Sequence, residues 1–139
     1  MIWTLKIKLV TGAFAREDWE GTIQIEANAT LEDLHFAIQD AVDFENDHLY
    51  EFFIARTPYS RDKTRFDDEN EELYTRTIES LFPLPKDRRV YYYFDYGDSW
   101  IFQVSRTRAK PFSPEPGVDY PQLIAEQGVR PDQYPDFDE

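Results

Sequence analysis

The chain has 139 residues, 28 of them acidic and 15 basic, for a formal net charge of −13. It has no cysteine, which excludes disulfides, thiolate catalysis and cysteine-ligated zinc or iron–sulfur centres. With 41% hydrophobic and 17% aromatic residues it is too apolar for a disordered chain, and its length suits one domain with a core of its own.

The first element read along the chain is an alternating segment over residues 2–10. Trp3, Leu5, Ile7 and Leu9 point one way and Thr4, Lys6 and Lys8 the other, the period of a half-buried strand. Residues 19–27 alternate again, and the short spacing predicts an antiparallel hairpin. Thr30 is placed as a helix N-cap, with Asp33 three residues on to complete a capping box. Leu31, Leu34, Ile38, Ala41 and Val42 then share one helical face, while Phe36 lies on the other. Residues 48–55 read as a third strand. Residues 56–76 read as polar loop, with five acids between Asp67 and Glu72. Thr77 to Phe82 predicts one helical turn, stopped by Pro83 and Pro85.

Residues 89–96 and 99–107 predict a second hairpin. A two-residue turn at Gly97-Asp98 would set Asp95 opposite Trp100 and put Trp100, Tyr93 and Phe102 on one sheet face against the helix. Seven of the twelve residues from Tyr91 to Phe102 are aromatic, which marks the centre of a core or of a binding face. After Lys110 the composition changes: six of the nine prolines and seven acids lie in 111–139. That stretch reads as a proline-rich tail docked in part on a domain of residues 1–110. A short helix is expected over 120–128, contact with Phe36, and a mobile end at Asp136–Glu139.

The chemistry-bearing residues are few. There is no glycine-rich phosphate loop and no nucleophile elbow. His35 and His48, joined by Asp95 or Asp98, form the one set that offers a metal or acid–base site. The competing reading gives the histidines backbone partners and the aspartates the role of fixing a turn. No cofactor is expected. The opening residues lack the apolar core of a signal peptide, and no run approaches the roughly 18 apolar residues of a membrane helix, so the expected setting is the cytoplasm, away from membranes. The acidic charge opposes nucleic-acid binding by the isolated chain. Arg88, Arg89, Arg106, Arg108 and Lys110 form a possible local basic patch.

The stretch Tyr91-Tyr92-Tyr93-Phe94-Asp95-Tyr96-Gly97-Asp98-Ser99-Trp100 resembles the signature Y-x-Y-D-F-G-D-x-W of the plasmid pRiA4b ORF-3-like family, also met as a passenger of insertion elements. Leu31–His35 and His48-Leu49-Tyr50-Glu51-Phe52 resemble that family's helix and its following H-L-Y-x-F. Two departures stand out. Phe102 occupies a place where many members have His, and the cysteine-, proline- and glycine-rich continuation of many members is absent. The family supplies no established reaction. The motif positions His35, His48, Tyr93, Asp95, Gly97, Asp98 and Trp100 are therefore the candidate functional residues. The fold expected is α+β, with about five mostly antiparallel strands packed on one main helix in a β-grasp (ubiquitin-like) arrangement. The function expected is an interaction module whose partner is another protein. The alternatives are an accessory protein in mobile-element DNA transactions and a metal-dependent enzyme using His35, His48, Asp95 and Asp98.

Overall fold

The structure is a computed structural model and describes residues 1–135; the end of the chain, including the expected mobile Asp136–Glu139, lies outside the described residues. Its frame is one antiparallel sheet. The strands are β1 (Ile2–Thr11), β2 (Trp19–Glu26), β3 (Tyr50–Ala55), β4 (Thr64–Phe66), β5 (Arg89–Phe94), β6 (Trp100–Arg106) and β7 (Gln122–Gly128). They lie in the order β4-β3-β5-β6-β1-β2-β7. Helix α1 (Leu31–Val42) joins β2 to β3, and a short helix α2 (Glu72–Thr75) and a 3-10 turn at Glu79–Leu81 follow β4.

This overturns the expected architecture. The sheet has seven strands rather than five, and every pair in it is antiparallel, so the β-grasp arrangement on one main helix does not hold. Both extra strands are edges. β4 carries only Thr64, Arg65 and Phe66, too short for a periodicity signal, and is held by pairing to β3. β7 takes the place of the helix expected over 120–128. Only Leu123 of β7 is even half-buried, so there is no apolar stripe for a helix to bury. As a strand, the segment instead satisfies the outer backbone groups of β2. Gly128 closes the ladder at φ +85, where a side chain would run into the Asp18 carbonyl. A bridge between Phe112 and Ile2 ties the chain down before β7. The proline-rich stretch is thus not a tail hung on a finished domain.

The α1 prediction rests on its cap, and both capping-box bonds form: Thr30 Oγ1 accepts from Asp33 N–H at 3.1 Å and Asp33 Oδ2 from Thr30 N–H at 3.0 Å. The apolar stripe of α1 covers one sheet face, where Leu5, Ile7, Ile23, Phe52, Tyr92, Phe94, Trp100 and Phe102 form the main core. The other face holds a smaller cluster of Phe53, Ala55, Tyr91 and Ile101. Charged side chains border that cluster. Lys63 Nζ sits 4.5 Å from the Phe53 ring centre, and Arg65 makes two bonds to the buried Glu51 carboxylate, at 2.7 and 3.1 Å.

Candidate functional site

The β5–β6 register is one residue off the expected one. Phe94 pairs with Trp100 and Tyr92 with Phe102, leaving a five-residue turn from Asp95 to Ser99 in place of a two-residue Gly97-Asp98 turn. Asp95 builds this turn. Its backbone takes the left-handed region at φ 61, which Asp tolerates better than most residues. Its carbonyl accepts from Ser99 N–H at 2.6 Å, and its Oδ1 accepts from Gly97 N–H at 3.1 Å and Asp98 N–H at 3.2 Å. The side chain thus does within the turn what a longer ladder would do. The Asp98 carbonyl accepts from Ala13 N–H, which ties the β1–β2 loop to the same end of the sheet.

The shift also corrects Tyr93. It pairs with Ile101 and lies on the face away from α1, not beside Trp100 and Phe102. Its hydroxyl lies 3.4 Å from Ser99 Oγ. Trp100 is fully buried among Phe44, Phe94 and Phe102, and the backbone of Gly12 approaches it so closely that any side chain there would run into the indole. Gly97 and Asp98 stand within the turn; Gly97 is exposed and Asp98 half-buried.

The two histidines occupy different environments, though both approach the Phe94 ring, with ring centres 6.2 Å away for His35 and 5.9 Å for His48. His35 is buried. It stacks on Tyr50 at 3.6 Å with the rings parallel. Its Nδ1 lies 2.5 Å from the Tyr92 hydroxyl and its Nε2 lies 2.6 Å from Asn46 Oδ1. Asn46 Oδ1 is an acceptor, so Nε2 carries the proton and Nδ1 accepts from Tyr92. Gln39 Nε2 then donates to the Tyr92 oxygen at 3.0 Å, while Gln39 Oε1 accepts from Asn46 N–H at 2.9 Å. Every partner in this ring is used. Burial pushes the imidazole pKa down to about 4, against a smaller upward pull from Asn46, so His35 is neutral at neutral pH.

His48 stands at the rim. Its Nε2 lies 2.8 Å from the Tyr134 hydroxyl, 3.3 Å from Asp95 Oδ2 and 3.7 Å from Asp47 Oδ1. Tyr134 gives its own proton to Asp47 Oδ2 at 2.7 Å, which leaves its oxygen to accept from His48. Gln133, buried, donates to Asp47 Oδ1 at 2.9 Å and accepts from Glu45 N–H at 2.8 Å. Two side chains after β7 therefore clasp the α1–β3 loop. The Tyr134 bond is the main cause of a lowered Asp47 pKa, and the Asp47 carboxylate in turn raises the Tyr134 phenol to about 12.

The structure therefore joins His48 to Asp95 but gives His35 a separate set of partners. Among the described residues no three His, Asp or Glu side chains are placed to hold a metal ion. Also among the described residues, no helix is long and apolar enough to cross a membrane. Sequence reading missed Asp47 and Tyr134 as partners of His48, with Gln133 behind Asp47, and Asn46 and Tyr92 as partners of His35, with Gln39 bridging them. None of these polar residues carries a pattern of its own. Tyr92 has no decisive signal either, because the period groups it with Phe94 without showing which face of β5 α1 covers.

The two signature stretches thus meet in space, through His48 of one and Asp95 of the other. A family model described as plasmid pRiA4b ORF-3-like protein matches residues 2–133. Among solved structures, the crystal structure of a protein of unknown function, MM3350 from Methanosarcina mazei Go1, is similar to this chain. The two share 26% sequence identity at a TM-score of 0.70, over 90% of this chain and 68% of that one. No curated protein matches the chain. With nearly its whole length matched, the chain belongs to the plasmid pRiA4b ORF-3-like family.

Proposed function

We propose that the chain is a non-enzymatic binding module that takes a basic, apolar-anchored polypeptide segment in the groove between β2, the outer side of α1 and Tyr120-Pro121. The observation that carries this reading is Phe36. It stands on the polar side of an otherwise amphipathic helix and stays 45% exposed, although the tail passes beside it. Ile25, Ala37, Tyr120 and Pro121 continue the apolar lining. The charges around them have one sign: Glu26, Asp33 and Asp40 line the groove, and no Lys or Arg does. An apolar floor under a single-sign rim favours a partner with an apolar anchor and opposite charge. The catalytic reading draws less support, because His35 and Asp95 are buried and engaged in holding the fold.

A short synthetic peptide in which lysines flank a leucine and a phenylalanine tests this. Binding should perturb the Phe36 and Tyr120 resonances and weaken as salt rises. Phe36→Ser and Asp40→Lys should each reduce affinity by about tenfold, the scale of one anchor or one charge pair. Equal binding to wild type and both variants, or none at roughly millimolar peptide, overturns the reading. Asp33 is left unchanged in this test because it caps α1.

A further inference from the structure

A second groove carries one charge of each sign. It is lined by Trp3, Phe82, Pro83, Leu84, Arg106 and Glu79. Trp3 and Phe82 meet edge to face at 5.7 Å, and the Arg106 guanidinium lies 3.6 Å from the Trp3 ring centre. Stacking fixes the plane of the guanidinium without using its hydrogens, and a fork held this way suits a carboxylate. Among the described residues Arg106 has no ion-pair partner, and neither do Arg108 and Lys110. All three lie within five residues of one another in the sequence, in a chain of net charge −13.

The register explains how they gather. Arg106 pairs with Leu5 at the end of β6. Thr107 N–H then bonds to the Thr4 carbonyl, and Phe112 bridges Ile2. Residues 107–112 therefore run alongside Ile2–Thr4, carrying Arg108 and Lys110 past the strand that presents Trp3. Glu79 is the one carboxylate in the groove lining, which sets a polarity: the acidic part of an occupant belongs on the Arg106 side.

We infer that this groove is a docking site for an acidic polypeptide segment, with an aromatic or aliphatic anchor against Phe82 and Leu84 and a carboxylate on the Arg106 fork. This site is separate from the Phe36 groove and does not depend on it.

The full chain is titrated with a short synthetic peptide in which aspartates flank a phenylalanine and a leucine, followed by amide and indole N–H resonances. Shifts should concentrate at Trp3, residues 79–84 and residues 106–110, and should diminish with salt. Arg106→Glu should weaken binding by about tenfold or more, and Glu79→Gln should strengthen it by about twofold, since one removes an opposite charge and the other a like charge. A thermal melt of each variant checks that it is folded. Glu79→Gln keeps the proposal falsifiable if Arg106→Glu fails to fold, because no gain in affinity there counts against it. Failure to bind, shifts centred on Phe36, or equal binding of the lysine-flanked peptide overturns the proposal. So does a single-stranded oligonucleotide that binds these residues more tightly than the acidic peptide.

Discussion

His35 and His48 both approach the Phe94 ring and illustrate two ways to accommodate a histidine. His35 is buried on the inner side of α1, where each ring nitrogen has one partner and Gln39 bridges those two partners. His48 is at the rim, where its surroundings come from three separate segments: the loop before β3, the β5–β6 turn and the chain after β7. The inner ring of bonds is closed, so removing a member strands another polar group in the interior. The outer clasp is open to water, so a lost bond is largely replaced by solvent. The same residue type thus serves as a structural element in one place and as a fastening in the other.

The aromatic ring that both regions approach is the sharpest place to break the contrast. Phe94 is backed by Phe44 and Trp100, with ring centres 6.0 Å and 5.0 Å from Phe44. Trp100→Ala should cost about 3–5 kcal/mol, as large-to-small core changes do, and should loosen both sides together. Denaturant unfolding measures the loss. A variant nearly as stable as wild type would mean that Trp100 does not pack as described.

Acid acts on the inner region through His35. The folded pKa of His35 is about 4, against an ordinary value of 6.5. The unfolded chain therefore binds the extra proton first. The stability associated with neutral His35 is fully present above pH 6.5 and is lost as the pH falls through 4. A displacement of this size corresponds to about 3 kcal/mol. Unfolding free energies of wild type and His35→Gln, measured between pH 4 and 7, should show a shallower slope in the variant. Equal slopes would place the titration elsewhere.

Much of the fold is legible where burial imposes a period. The β1–β2 hairpin and α1 follow from alternation and from a capping box whose bonds both form. The second hairpin is legible as a pair of strands but not in its register. Alternation cannot separate a two-residue turn from a five-residue one, and the decisive bonds are made by a single Asp95 side chain. The edge strands β4 and β7 are hidden for a different reason. Their cause is the unpaired backbone of β3 and β2, which no side-chain pattern records. At the candidate site, His48 and Asp95 stand out in sequence, while Gln133 and Tyr134 reach Asp47, next to His48, from 86 and 87 residues away.

Within the inner ring, Tyr92→Phe removes one oxygen and leaves the fold otherwise intact. The His35 Nδ1 acceptor and the Gln39 amide donor both lose their partner. Leaving such groups buried and unpaired costs about 1–3 kcal/mol. The loss should appear in unfolding measurements at neutral pH. A neutral effect would require water to have entered beside His35.

The matching deletion at the rim is Tyr134→Phe, and it should do far less to global stability. It removes the bond to Asp47 and the bond from His48, both at an exposed side chain. The expected global effect is small, because water takes the place of the hydroxyl. Local readouts should move more clearly. Asp47 is held below the usual carboxylate range chiefly by the Tyr134 hydroxyl, so its pKa should rise in the variant. Amide exchange over residues 130–134 should accelerate, while exchange in β5 and α1 stays unchanged. Side-chain carboxyl resonances followed through a pH titration report the first effect. An Asp47 pKa that is the same with and without the hydroxyl would mean that the clasp is not made in solution, and His48 would then have only its contacts to Asp95 and Asp47.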